Sequence, residues 1–137
     1  RFVNVTADAG VPSLGPTYQA GWADFDNDGD LDLVSGGQLM RNNEVRHGWA
    51  RVHLEGGQGI DRWAVGSQVR ITVGDKVVTS QVEAGTGQGN QNDRTLHFGL
   101  GKHEGPIKLQ VHWIDGERQE VDAEPGKLVV IKRVEEK

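Results

Sequence analysis

Five aspartates occupy every second position from residue 24 to residue 32, within the segment ADFDNDGDLDLV. Carboxylates this close repel one another at neutral pH, and a bound cation would offset the repulsion. Hard cations such as calcium take roughly six to eight oxygen ligands at about 2.3–2.6 Å. The spacing D-x-D-x-D-G-x-x-D therefore predicts a cation-binding loop. Calcium is favoured over magnesium, which prefers water-rich octahedral sites with fewer protein ligands.

Each residue of this loop has a predicted role. Side-chain oxygens are expected from positions 1, 3, 5 and 9, which are Asp24, Asp26, Asp28 and Asp32. Gly29, at position 6, allows a positive φ angle that wraps the backbone around the ion. Asp30, at position 7, is expected to supply its peptide carbonyl, so that its side chain faces solvent.

Two other interpretations compete with this one. An EF-hand begins in the same way but ends with a bidentate glutamate at position 12, where this chain has Ser35. The following LDLVSG is also typical of a strand rather than a helix. The other alternative is a solvated acidic turn, which is common where only one or two aspartates are present. Four acids and a glycine in ligand register favour the cation site.

The elements that must position this loop are strands. Apolar residues alternate with polar ones after residue 48, and no long segment has helical apolar spacing. The predicted strands lie at 49–55, 68–73, 77–84, 96–100, 107–113, 118–121 and 128–134. The turns GDK (74–76) and DGE (115–117) predict two hairpins. The pattern predicts an all-β fold with a β-sandwich or jelly roll.

The first 47 residues have a different pattern, with short apolar pieces at 2–5, 31–35 and 39–40 separated by turn residues. We therefore predict two units, a single calcium-loop unit at 1–47 and a sandwich at 48–137. The small unit cannot bury both faces alone, so it should dock on the sandwich. The side chains expected to dock are Phe2, Tyr18, Trp22, Phe25, Leu31 and Leu33. The polar, glycine-rich segment 84–93 is predicted to be a long loop and a candidate binding surface.

The composition argues against several classes of function. The formal net charge of −5 argues mildly against nucleic acid and anionic membranes as partners. The chain contains 0 cysteines, which excludes thiol catalysis, disulfides and cysteine–zinc sites. No run of apolar residues is long enough for membrane insertion. Because the chain begins with arginine, we expect a processed form or part of a larger protein.

Two resemblances follow from these motifs. GWADFDNDGDLDLV (21–34) resembles the FG-GAP (VCBS-type) calcium repeat of integrin-like β-propellers. HFGLG (97–101) followed by VHWIDG (111–116), together with HGWARVHLEG (47–56) and LVVIKR (128–133), resembles the ASPIC/UnbV domain of cartilage acidic protein-like proteins. The calcium loop occurs once, so the chain cannot be a complete propeller.

These resemblances imply an extracellular, cell-surface or periplasmic protein without catalytic residues. The implied role is calcium-dependent recognition or adhesion with an unidentified protein or glycan ligand, and the implied cofactor is Ca²⁺. Two alternatives remain open. One is a carbohydrate-binding module, for which Trp63 is the candidate stacking residue. The other is a non-catalytic accessory protein in bacterial secondary-metabolite biosynthesis.

Overall fold

The computed structural model describes residues 1–11, 14–43, 47–57 and 59–134, and these residues form an all-β fold without helices. No helix in the described ranges is long and apolar enough to span a membrane. The ten strands are β1 (Ala20–Ala23), β2 (Asp32–Ser35), β3 (Gln38–Met40), β4 (Gly48–Glu55), β5 (Gln68–Val73), β6 (Lys76–Gln81), β7 (Leu96–Gly101), β8 (Ile107–His112), β9 (Arg118–Ala123) and β10 (Leu128–Lys132).

Two sheets make the sandwich. One has the order β10-β4-β7 and the other the order β6-β5-β8-β9. All pairings are antiparallel except that of β10 with β4, which is parallel. The side chains between the sheets form one apolar core, built chiefly from Ala50, Val52, Leu54, Val69, Ile71, Leu96, Phe98, Leu100, Ile107, Leu109 and Val111. The predicted all-β sandwich is confirmed.

The alternation seen in the sequence sets which side chains enter this core. Strand β8 has the burial pattern buried–exposed–buried–exposed–buried, and β7 shares it over most of its length. Trp113, predicted to be buried, is 3% exposed. The predicted GDK hairpin joins β5 to β6, where Val73 pairs with Lys76 and Gly74 has a φ of 58°. A positive φ is the reason the turn begins with glycine.

The N-terminal unit is a three-stranded antiparallel sheet with the order β1-β2-β3. The short apolar piece at 2–5 does not form a strand. The segment after residue 5 forms turns, in which the Ala9 N–H bonds to the Val5 carbonyl at 2.8 Å. The Asn4 side chain accepts the Thr6 N–H at 3.0 Å, so a local side-chain bond competes with strand pairing.

The expected apolar docking of this unit is also wrong for its aromatic side chains. Phe2, Tyr18 and Phe25 are 105%, 94% and 69% exposed, and Trp22 is 45% exposed. Leu31 and Leu33 are partly buried. Polar contacts attach the unit instead, which apolar patterning could not indicate.

The segment 84–93, predicted to be a loop, makes several of these contacts along the free edge of β1. The Trp22 N–H donates to Asn92 Oδ1 at 3.0 Å, and the Asp93 N–H donates to the Trp22 carbonyl at 3.0 Å. Asn90 Nδ2 bonds to the Ala20 carbonyl. The segment therefore covers an edge that would otherwise present unpaired backbone groups. The predicted unit boundary at 47 follows residues 44–46, which lie outside the described residues.

Candidate metal centre

The loop that joins β1 to β2 gathers the acidic side chains. One carboxylate oxygen each from Asp24, Asp26 and Asp28 lies within 4.8 Å of the others. Gly29 has a φ of 99°, as the predicted turn requires, and Asn27 also has a positive φ of 61°. Alternate side chains therefore converge on one point, and the group they form offers only hard oxygen donors.

Asp24 is the most buried member of this group, with its residue 6% exposed. Its Oδ1 accepts the Asp28 N–H at 3.1 Å, and its Oδ2 accepts the Gly29 N–H at 3.1 Å. Arg51 on β4 approaches the same Oδ2 at 2.9 Å and donates to Asn27 Oδ1 at 2.7 Å. The first position of the loop is thus held by the sandwich.

A second arginine faces the solvent side of the group. Arg41 ion-pairs with Asp26 and lies 3.5 Å from Asp28, and 57% of its side chain is exposed. The backbone N–H of Asp30, together with Arg41, lowers the pKa of Asp28. The Asp28 carboxylate therefore remains ionised at neutral pH.

Asp30 differs from its predicted orientation. Its Oδ2 is buried and has no hydrogen-bond partner, so the side chain does not simply face solvent. Burial raises the pKa of Asp30 above its usual value, and the negative charge of Asp28 raises it further. The residue lines a cleft of about 810 Å³ between the N-terminal unit and the sandwich.

Asp32 lies outside the group of three. It is 1% exposed, and its oxygens accept the Phe25 N–H at 2.9 Å and the Asn42 N–H at 2.8 Å. Asp32 thus ties the start of the loop to the segment after β3. Its predicted role as a ligand at position 9 stays a prediction.

Sequence patterning missed three residues of the sandwich that contact the loop. A Cβ on Gly29 would lie 2.0 Å from Trp49 Nε1, so the glycine is required by packing as well as by its φ. His97 Nε2 is 2.6 Å from the Gly29 carbonyl oxygen. With Arg51, these residues share the outer face of β4 and β7, and their alternation with the core residues was the only signal in the sequence.

Trp63, the candidate sugar-stacking residue, is already contacted by charged groups. The guanidinium carbons of Arg62 and Arg94 lie 5.1 and 4.7 Å from its ring centroid. The His53 ring meets it edge-on at 5.9 Å. A sugar would have to displace these contacts to stack on the ring.

Comparison with protein families gives a match. Residues 57–136, more than half of the chain, match the family described as ASPIC and UnbV. The matched range begins after β4, although β4 is the central strand of its sheet and carries Trp49 and Arg51. No curated protein matches the chain.

Proposed function

The chain belongs to the ASPIC and UnbV family, and from that premise we propose that it is a calcium-binding module of extracellular recognition or adhesion. Its N-terminal unit is a single FG-GAP-like calcium repeat. Calcium is a structural ion in the loop 24–32, and the protein has no catalytic role. Its ligand is a protein or a glycan.

The convergence of Asp24, Asp26 and Asp28 carries this proposal. Their carboxylate oxygens lie within 4.8 Å of one another, on a loop whose glycine has the expected positive φ. An exclusively oxygen donor set suits calcium rather than a transition metal. The Asp30 carbonyl and the Asp32 carboxylate complete the proposed ligand set.

The two arginines have different relations to the ion. Arg41 is exposed, and exposed ion pairs contribute little, so calcium can displace it from Asp26 and Asp28. Arg51 has only 8% of its side chain exposed and also bonds to Asn27. We infer that Arg51 stays in place and positions Asp24, while the ion replaces Arg41 as the counter-charge.

Bound calcium should increase the free energy of unfolding. An ion that binds the folded loop and not the unfolded chain contributes about 2.7 kcal/mol at a concentration of 100 times its dissociation constant. Because Trp49, Arg51 and His97 contact the loop, this free energy stabilises the junction between the two units.

Exposed apolar side chains support a role in recognition. Trp22, Phe25, Val34 and Leu39 are each at least 45% exposed on the N-terminal unit. Val34 and Leu39 are cross-strand partners on one face of this sheet, whereas Trp22 lies on the opposite face. A contiguous exposed apolar patch such as the Val34–Leu39 pair is typical of interaction sites. A module with a rigid calcium loop presents such side chains in a fixed arrangement.

Thermal unfolding tests the proposal. We expect the melting temperature to rise by roughly 10 °C between EDTA and millimolar calcium. Asp26→Ala should abolish this rise, because it removes one ligand of the converging group. Asp75→Ala, in the exposed β5–β6 turn, is the matched control and should keep it. An unchanged melting temperature in the native chain would refute a structural calcium site.

A further inference from the structure

A basic aromatic cluster lies on the outer surface of the sandwich, apart from the aspartate loop. We call it the Trp63 patch, and it consists of His53, Arg62, Trp63 and Arg94. Trp63 is 37% exposed, with both guanidinium carbons within 5.1 Å of its ring centroid. The two positive charges are therefore at most about 10 Å apart, close to one Debye length in physiological salt.

Three carboxylates lie within two positions of a patch residue in the sequence, and each has another partner. Asp61 accepts two backbone N–H groups at 2.9 Å each. Asp93 faces Arg51 at 3.7 Å, and Glu55 pairs with Lys132 at 2.9 Å. Within the described residues, neither patch arginine forms an ion pair with a carboxylate. The hydrogen bond from Lys132 and, to a lesser extent, the charge of Arg62 lower the pKa of Glu55, so Arg62 has a carboxylate in its electrostatic surroundings but none within ion-pair distance.

Arg94 also has an unused donor. Its Nη2 bonds to Gln91 Oε1 at 3.3 Å, whereas its Nε is buried and has no hydrogen-bond partner. Because Nε is buried, a bound anion would be contacted by the terminal Nη atoms of the guanidinium. The guanidinium carbon lies 4.7 Å from the Trp63 ring centroid, and the planar fork of a guanidinium is suited to bidentate oxyanions.

The residues around the patch indicate what kind of molecule would carry the anionic group. His53 pairs in register with Val130 on β10, and Val130 is 47% exposed. The Thr95 hydroxyl lies 3.5 Å from His53 Nδ1. An apolar side chain and a hydroxyl therefore lie beside His53 of the patch, which suits an anionic group attached to a larger organic molecule.

We propose that the Trp63 patch is an oxyanion-binding site for a sulfate or phosphate group, with Arg62 and Arg94 as its ligands. This site is separate from the calcium loop and does not depend on the proposed function. Recognition of an esterified ligand would then rest on charge rather than on sugar stacking against Trp63.

Titration by ¹H–¹⁵N NMR tests this site, with EDTA present and ionic strength held constant by sodium chloride. We expect inorganic sulfate or inorganic phosphate to shift the Trp63 indole N–H resonance saturably, and Trp63→Phe identifies that resonance. Arg62→Gln and Arg94→Gln should each weaken binding by about tenfold, the effect of one charge-assisted contact. Arg118→Gln, on the exposed part of β9, is the matched control and should leave binding unchanged.

Two further sets of titrations identify the bound group and its mode of recognition. Glucose 6-sulfate and glucose 6-phosphate distinguish the two sources of oxyanion, and unmodified glucose should not bind. Arg94→Lys keeps the charge but loses the fork, so weaker binding in this variant supports bidentate recognition even if Arg94→Gln fails to fold. The proposal is overturned if the shift is no larger than with sodium chloride alone. It is also overturned if glucose binds as tightly as its sulfate ester, or if the folded arginine variants bind like the native chain.

Discussion

Aspartates of one loop perform different tasks. Asp26 and Asp28 face an exposed arginine, whereas Asp32 is buried and accepts two backbone N–H groups. Asp26 is therefore expected to affect stability through ion binding, whereas Asp32 is expected to stabilise the fold through its backbone hydrogen bonds as well. The regular spacing of the aspartates does not distinguish these roles. Spacing indicates which way a side chain points from the backbone, but it does not indicate which group the side chain contacts.

Asparagine substitutions separate these tasks. Asp26→Asn should lower the melting temperature in calcium but not in EDTA, where it removes like-charge repulsion. Asp32→Asn should lower the melting temperature in both conditions. In EDTA it should lower the free energy of unfolding by about 1–3 kcal/mol, since its amide cannot accept both N–H groups. Differential scanning calorimetry with and without calcium measures both effects. A loss confined to calcium for Asp32→Asn would assign this residue to the ion alone.

Gly29 combines a backbone requirement with a packing requirement. Gly29→Ala should destabilise the fold by several kcal/mol, because its Cβ would lie 2.0 Å from Trp49 Nε1. Gly37 also has a positive φ, of 75°, but has no atom within 4 Å of its would-be Cβ. Gly37→Ala is thus the matched control and should cost only about 1–2 kcal/mol. Urea unfolding compares the two, and equal losses would show that Trp49 does not constrain the loop.

The segment 84–93 holds β1 in place, in addition to being a candidate binding surface. Its two half-buried asparagines bond to β1, and its backbone pairs with Trp22 on the edge that β2 leaves free. The sequence predicted a loop here from its glycine and amide content. It did not indicate the partner, because the pairing joins residues about 70 positions apart.

Removing one of these contacts should loosen β1 selectively. Asn92→Ala removes the acceptor of the Trp22 N–H, so hydrogen exchange of this amide should accelerate by about fivefold, as expected for one hydrogen bond near 1 kcal/mol. Gln88→Ala is the matched control, since Gln88 contributes only its backbone carbonyl, which accepts from Gln19 at 2.8 Å. Unchanged exchange at Trp22 in Asn92→Ala would contradict the role of the segment in holding β1.

Strand patterning predicted the sandwich well and the N-terminal unit poorly. In β7 and β8 every second residue is buried in one core, so the sequence records the burial directly. The N-terminal unit has strands of three and four residues, too short for a clear period. Its aromatic side chains were expected to dock, yet Arg51 and His97 make the contacts. Polar docking leaves no periodic signal in a sequence.

At the scale of the whole molecule, Arg51 links three parts of the chain. Its side chain extends from β4, the central strand of the β10-β4-β7 sheet, to Asp24 in the aspartate loop. It also lies 3.7 Å from Asp93, the last residue of the segment 84–93. The side chain of Asp24 is only 1% exposed. A carboxylate this buried depends on its partner, so the Arg51–Asp24 ion pair is one of the main contacts between the units.

Arg51→Met tests this dependence. In EDTA it should destabilise the protein by about 3 kcal/mol, because a buried carboxylate loses its counter-charge. The loss should be smaller in calcium, since the ion would provide Asp24 with a new partner. Chemical denaturation followed by tryptophan fluorescence and circular dichroism measures both values.

Two controls make the outcome of Arg51→Met interpretable. Arg118→Met removes an exposed arginine and should change stability by less than about 0.5 kcal/mol. Asp24→Asn combined with Arg51→Met should recover part of the loss in EDTA, because it removes the unpaired charge. If Arg51→Met costs no more than Arg118→Met, the ion pair does not hold the units together. If its cost is equal in EDTA and calcium, Asp24 is not a ligand of the ion, and the first position of the proposed coordination shell is wrong.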